Sequence, residues 1–384
     1  MFSIKAKQLA ELVGIAAKVS SGRSTQPIAE SIRIAFGKEE IAVYATNFET
    51  WITVATPHFK PTVDDNIAIV PCAAFHSLIT KLPGDMDVQL ELKAKRLNIK
   101  AGTSKYTLAT LDDSEWPNIP DEKKSVEFKF EALALKETLQ FVSRAMMTDD
   151  QTSQYFLCGV CMRPSGKKNI RFIAADGHQL SQMSIALPPG DLREEGIIVP
   201  RQSIALYIDM LDRIDPTRPV KMSLTENRIK VEFSDEFKFS MTGRLIDGVY
   251  PNIEHIIPYE RDHAENILPR APVMGAIDRM QIFSEEKKSG VCMQFEKGSL
   301  NLSKSGQKGD GVETFEVGKK TAPGGTITLN IKYLRNMLDG FKDENVTILC
   351  GSKDEFMTGT VVLKSANDSV SPDGRLSIIV PMRG

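Results

Sequence analysis

Residues 71–83 read PCAAFHSLITKLP, residues 200–215 read PRQSIALYIDMLDRID, and residues 330–342 read NIKYLRNMLDGFK, so the three segments begin 129 and 130 residues apart. Each opens on Pro or Asn and then spaces its apolar residues at i, i+3 or i+4, and i+7. They are Phe75, Leu78, Ile79 and Leu82; Ile204, Ile208 and Leu211; Leu334, Leu338 and Phe341. That period puts the apolar side chains on one face of a short helix. An alternating run follows each segment: Val88, Leu90, Leu92; Val220, Met222, Leu224; Val346, Ile348, Cys350. Period two is the pattern of a strand with one buried face. The same helix and strand therefore occur three times, and a long fixed period of this kind governs the whole fold.

Other landmarks keep the interval. Ala45-Thr46-Asn47 occupies the turn of one strand pair, and Ala174-Ala175-Asp176 occupies the matching turn 129 residues later. Trp116-Pro117-Asn118-Ile119 returns as Tyr250-Pro251-Asn252-Ile253. An amphipathic helix should open each set, over 6–18, 131–146 and 271–283. Dividing 384 residues by three gives 128 per unit. The expected boundaries are 1–125, 126–257 and 258–384, with joins in the polar, Pro-containing stretches PDEKKSVE and PYERDHAEN. Two helices and several alternating strands per unit, joined by short turns, predict an α+β fold of antiparallel sheet with helices on one face.

Lys and Arg number 48 against 50 Asp and Glu, which excludes a tail coating nucleic acid by bulk charge but not a local basic patch. Five cysteines over the whole chain do not make a secreted disulfide scaffold and suit a reducing cytoplasm. No stretch approaches the ~20 apolar residues needed to cross a bilayer, so no membrane role is expected. The opening MFSIKAKQLAELVGIAAKV is read as an amphipathic helix rather than an export signal. Glu11 interrupts the apolar run, and Leu9, Leu12, Val13 and Ala16 fall at helical spacing.

Catalytic templates are missing: no GxxxxGK[ST], HExxH or GxSxG and no kinase set. Cys158 and Cys161 stand an odd number of positions apart without a second ligand pair, which points to packing rather than zinc. Ser303 to Gly311 is glycine-rich but lies between two strands, so it reads as a hairpin tip rather than a phosphate loop. Asp176 and His178 could suggest acid–base hydrolysis, yet no nucleophile accompanies them and Thr46-Asn47 lacks both groups. No enzyme and no cofactor is expected. Basic residues recur on the polar sides of the helices: Lys7, Lys18, Lys81, Lys136, Arg144, Arg201, Arg213, Arg270, Arg279, Lys332 and Arg335. Six equivalent helices could present these cations to phosphates without sequence preference.

With these features in register, the chain resembles the bacterial DNA sliding clamp family, the beta subunit of DNA polymerase III. The likeness rests on Arg23 in SSGRSTQPI, on Ala45 to Glu49, on AADGHQL from Ala174 to Leu180, on Leu245 to Pro251, and on Ile379 to Arg383. It implies three tandem copies of a DNA-clamp domain, with antiparallel sheets outside and two helices per domain lining a ring. Two subunits would close that ring head to tail around double-stranded DNA. The edge strand in the basic stretch Lys93 to Lys105 should then pair with the strand near Glu313 and Glu316 of the other copy.

By the same resemblance, Arg23, Gln151, Tyr155 and Arg201 match DNA-contacting positions. Leu157, Gly177, His178, Leu180, Pro251, Ile256, Asn330, Tyr333, Ile378, Ile379, Val380, Pro381 and Met382 match a pocket for peptides from polymerase subunits, the clamp loader and repair proteins. The sequence departs from the family at Ala73-Ala74 and Gln202, where basic residues are frequent. It departs again at Gln179, His255, Lys288 and Gly384 around the pocket. The implied role is a cytoplasmic, nucleoid-associated processivity factor. The competing reading is a repeat scaffold that binds proteins without encircling DNA.

Overall fold

The computed structural model describes residues 2–20, 24–62, 65–119, 126–149, 151–257, 264–285, 289–296, 298–317, 325–350, 359–365 and 374–382. Among them lie six α-helices: α1 (Ala6–Ala17), α2 (Cys72–Thr80), α3 (Ala132–Val142), α4 (Arg201–Leu211), α5 (Arg270–Met280) and α6 (Ile331–Gly340). Each begins on the residue after a strand ends, and each is followed by three strands. One strand, one helix and three strands thus form a motif made six times, twice in every repeat. Pro71, Pro200 and Pro269 close three of the leading strands. A residue without an N–H fits there because it ends the ladder and presets the entry to the helix. Asn330 takes that place before α6 and accepts the N–H groups of Lys332 and Tyr333 on its side-chain oxygen.

The two motifs of a repeat exchange their leading strands. Phe2–Lys5, which precedes α1, pairs antiparallel with Asp87–Lys93 after α2, whereas Asn66–Pro71 pairs with Ser31–Phe36 after α1. Val126–Glu131 likewise pairs with Pro219–Leu224, and Ile197–Pro200 with Gly159–Ser165. Ala264–Pro269 pairs with Asn345–Cys350, and Gly325–Asn330 with Gly290–Glu296.

The chain divides into two compact units, Met1–Leu133 with Ala205–Leu245, and Ala134–Ile204 with Ile246–Gly384. In the first, a four-stranded sheet ends at Ser104–Ala109, and an eight-stranded sheet is continuous because Thr50–Ala55 lies beside Lys238–Arg244, Trp51 opposite Thr242. In the second, Gln179–Ile185 lies beside Leu376–Ile379, Leu180 opposite Ile378, to make another eight-stranded sheet. Its four-stranded sheet ends at Gly309–Glu316. Helix α1 buries Leu9, Leu12, Val13 and Ala16, the stripe read from the sequence, at about 1.5–3 kcal/mol for each large side chain.

The helices expected over 131–146 and 271–283 end sooner. Their last turns tighten into 3-10 helices, Ser143–Ala145 and Gln281–Phe283, as helix C-termini often do. Ser303 to Gly311 forms the expected hairpin, with Gly306 opposite Gly309 and Gly309 at a φ of 132°. The Cys158 thiol donates to the Asp149 carbonyl at 3.4 Å, and burial pushes Cys161 up to about 12. Gly159 between them is required: a β-carbon there would collide with the Val199 carbonyl across the ladder.

Candidate functional site

Strand alternation builds the floor of the candidate pocket in the second unit. Leu180 and Ile378, opposite one another, belong to a buried apolar cluster with Leu157, Tyr250, Ile253 and Ile257, and Ile256 packs against it. Gln179 and Ile379, one residue along each strand, point to the other face. Ile379 has no exposed surface, as Leu180 and Ile378 have almost none, and its side chain lies on the opposite face of the sheet from theirs. Beyond the strand, the Val380 N–H bonds the His178 carbonyl at 2.8 Å and the Met382 N–H bonds the Thr328 carbonyl at 2.8 Å. These bonds hold Val380, Pro381 and Met382 with surface still accessible, Val380 at 43%.

Asp176 organises the rim. Its Oδ1 accepts the backbone N–H groups of His178 at 2.8 Å and Gln179 at 3.0 Å, while Oδ2 accepts Gln179 Nε2 at 2.8 Å. Gly177 takes a φ of 90° inside this turn, where a side chain would be strained. The exposed His178 ring stacks on Tyr333, centroids 6.4 Å apart. Burial, and then the nearby Asp176 carboxylate, raises the Tyr333 phenol above its ordinary range. On the facing wall, Glu254 Oε1 receives Arg163 and Arg171, each at 2.7 Å, which fixes the 3-10 turn carrying His255 and Ile256. Pro251 is exposed at the start of that wall, and Asn330 caps the helix bearing Tyr333.

Three of the four positions matched to DNA contact fall close together. Arg201, first in α4, bonds the Cys158 carbonyl through its N–H at 3.0 Å and the Thr148 carbonyl through Nη1 at 3.2 Å. It thereby ties down both ends of the segment bearing Gln151 and Tyr155. Gln151 is exposed, and Tyr155 is 52% exposed against Phe156. Arg23, Lys288 and Gly384 lie outside the described residues.

The cationic helix faces are less available than the sequence suggests. Lys18 binds Asp209, Arg213 binds Asp209 and Glu11, Arg144 binds Asp339, Arg335 binds Asp278 and Asp339, and Arg279 binds Glu313. Arg270 is directed to the Asp343 carbonyl. Lys7, Lys81 and Lys332 are exposed. Among the described residues, no group of His, Cys, Asp or Glu could hold a metal, and no helix is long and apolar enough to cross a membrane.

The family models for the DNA polymerase III beta subunit match end to end: the N-terminal domain over residues 1–120, the central domain over 129–252 and the C-terminal domain over 254–371. The chain belongs to the DNA polymerase III beta subunit family. It is a sliding-clamp subunit of the replication machinery, built from three tandem clamp domains, and not an enzyme. The beta sliding clamp of Salmonella typhimurium is 26% identical over 373 residues, 94% of each chain. That of Pseudomonas putida is 24% identical over 382 residues, covering 100% of this chain and 99% of the relative. The fold is shared with the solved Pseudomonas aeruginosa subunit, at a TM-score of 0.86, 22% identity and complete coverage of both chains. It is also shared with the Bartonella birtlesii clamp bound to griselimycin, at a TM-score of 0.88, 21% identity, and coverage of 100% and 99%.

The sequence places Asp176 in a repeated turn and offers it as an acid or base, but does not reveal that its carboxylate caps that turn. Its matching residue Asn47 accepts the Glu49 and Thr50 N–H groups in the same way, at 3.1 and 2.8 Å. Asn and Asp at equivalent turns, each able to cap its own loop, were the available signal. The Glu254 bridge to Arg163 and Arg171 had no such signal, because it joins residues more than 80 positions apart.

Proposed function

We propose that two copies of this chain join head to tail into a closed ring of six similar domains, read as 1–125, 126–257 and 258–384 in each. The ring is threaded by duplex DNA in the bacterial cytoplasm, at the nucleoid. One observation carries this reading. Each sheet join inside the chain unites the third strand after one helix with the third strand after another, Thr50–Ala55 with Lys238–Arg244 and Gln179–Ile185 with Leu376–Ile379. The third strand of each kind left over is Gly309–Glu316 and Ser104–Ala109, both at sheet ends. A second copy supplies the missing neighbour of each, and a two-fold rotation makes both contacts alike.

The repeat also supplies the register. Residues matched through the ladders are Trp51, Leu180 and Asp310 on one side and Thr242, Ile378 and Thr107 on the other. Asp310 therefore faces Thr107 of the second copy, with Val312 opposite Lys105. Of the basic stretch Lys93 to Lys105, only its end belongs to the edge strand. Glu313 is already engaged by Arg279 of its own chain at 2.7 and 2.5 Å. Main-chain hydrogen bonds and the exposed Val312 and Ile282 then supply more of the contact than opposite charge does.

Holding by threading needs only weak, screened phosphate contacts, since tight ones would oppose sliding. Gln151, Tyr155 and Arg201, with Arg23, are proposed to touch the duplex. The pocket over Leu180 and Ile378 is proposed to take short peptides of polymerase subunits, the clamp loader and repair proteins, an apolar side chain entering and backbone groups meeting the rim. The test is retention: after loading, the protein should stay on closed circular DNA and leave once the circle is cut. Release from intact circles would leave only a protein-binding scaffold.

A further inference from the structure

The first unit carries a groove at the position matching the pocket of the second. Trp51 opposite Thr242 corresponds to Leu180 opposite Ile378, and Trp116 to Ile119 corresponds to Tyr250 to Ile253. A cavity of about 720 Å³ lies here, lined by Arg33, Trp51 and the Trp116 to Ile119 segment. A second cavity, of about 700 Å³, adjoins it and shares Tyr44 and Thr53 with it. Both volumes lie in the range of ligand clefts. Trp51 is 7% exposed, Arg228 stacks on its ring at 4.7 Å, and its indole N–H has no acceptor among the described residues. Ile119 on the opposite wall is 45% exposed.

The adjoining cavity is cationic. Lys129, Lys221, Lys230 and Lys238 line it with a single carboxylate, Glu232. Lys221 binds Glu127, Lys230 binds Glu232, Arg33 binds Asp113, and Lys238 donates to the Phe59 carbonyl. Lys129 is exposed on the edge strand Val126–Glu131. With these partners included, five cations face three carboxylates, on a chain whose overall charge is −2.

We propose that this groove is a second docking site, for a short acidic peptide segment of a partner protein. An apolar side chain seats against Trp116 and Ile119 over the buried Trp51, and carboxylates meet Lys129 and Lys238. The choice of a peptide as occupant rests on the reading of the pocket in the second unit. The acidic character rests on the lysines alone.

Calorimetric titration of the full-length protein tests it, with the synthetic peptides Asp-Asp-Leu-Phe-Asp-Asp and Ser-Ser-Leu-Phe-Ser-Ser as probes. The acidic peptide should fill two sites per chain and the neutral one a single site. Lys129→Glu, a surface change that leaves the core alone, should weaken one acidic site about fivefold. Thr53→Glu, which places a carboxylate where the cavities meet, should abolish that site, and melting would verify its fold. Met382→Ala should remove only the other site. One acidic site per chain, lost in Met382→Ala and indifferent to Lys129→Glu, would overturn the second groove and leave the first pocket standing. One site lost in Thr53→Glu but kept in Met382→Ala would support the groove and overturn the first pocket. Competition by short duplex DNA for the Lys129-dependent site would assign this face to nucleic acid and sink the proposal.

Discussion

Lys18 Nζ lies 2.6 Å from the Asp209 carboxylate, joining the end of α1 to α4. The contact is made a second time at matching positions, where Arg144 Nη1 lies 2.8 Å from Asp339. Lys18 and Arg144 each stand thirteen residues past a strand end, Lys5 and Glu131, and the two aspartates nine past Pro200 and Asn330. A reverse pair accompanies each, Glu11 with Arg213 at 3.6 Å and Glu137 with Lys342 at 2.6 Å. The third set of matching positions holds Ile282 and Thr80, with Gly275 in place of the glutamate. Both joins inside the chain therefore carry a reciprocal charge clasp, and the third set of matching positions holds no charged residue to make one.

Removing either clasp should cost little by itself. Asp209 and Asp339 side chains are 32% and 45% exposed, so solvent screens them. Asp209→Asn or Asp339→Asn should lower stability by about 0.5–1 kcal/mol, read as a shift in the urea midpoint. In ~1 M salt the difference from the unaltered protein should nearly vanish. A loss that persists in high salt would mean the aspartates serve packing rather than charge.

Acid should loosen the same joins. Burial pushes the Asp209 carboxyl up, but hydrogen bonds from Lys18 and Arg213 more than offset it and hold it below the usual range. Asp339 behaves alike, with burial opposed by Arg144 and Arg335. A carboxyl lowered in the folded state stabilises it above the unfolded value of ~3.9, and that stabilisation fades as pH falls through the folded value. The urea midpoint contributed by these groups should be level from neutrality to about pH 5 and decline below about pH 4. The Asp209→Asn, Asp339→Asn double variant should decline less. Equal acid sensitivity would place the titrating groups elsewhere.

The repeat was legible because it leaves a period in the apolar pattern and in turns such as Asn47 and Asp176. Its joins were not. Gln179 and Ile379 lie 200 residues apart, and nothing local in either strand says which edge it meets. The cations were legible as polar-face residues. That the polar face of α1 meets the acidic side of α4 follows only from the sheet that brings Thr50–Ala55 beside Lys238–Arg244. Ile379 shows the same limit: matching a motif located it, and only the ladder places its side chain on the opposite face of the sheet from Leu180 and Ile378.

The register carried over from the two inner joins can be tested chemically. Thr107→Cys with Asp310→Cys should oxidise to a covalent pair of chains, because directly opposed β-carbons lie within disulfide reach. Moving one cysteine two residues, as Thr107→Cys with Val312→Cys, should cross-link poorly. Deleting Ser104–Ala109 should yield monomers in sedimentation. Efficient linkage only in the shifted pair would mean that the joint between copies departs from the register used inside the chain.

Asp176 offers the narrowest test of how the pocket rim is held, because Asn47 already shows what an amide does at the matching turn. Asn47 Oδ1 accepts two backbone N–H groups, so Asp176→Asn should keep the bonds to His178 and Gln179 N. The Gln179 amide can turn over, offering its oxygen where it now donates to Asp176. Asp176→Asn should therefore be nearly silent in melting and in peptide affinity. Asp176→Ala deprives three N–H donors at once and should cost about 1–2 kcal/mol of stability. It should also weaken peptide binding more than melting alone implies, since His178 would lose the turn that holds it against Tyr333. If alanine and asparagine behave alike, the rim is held by the ladder between Gln179 and Ile379 instead, and the carboxylate is incidental to it.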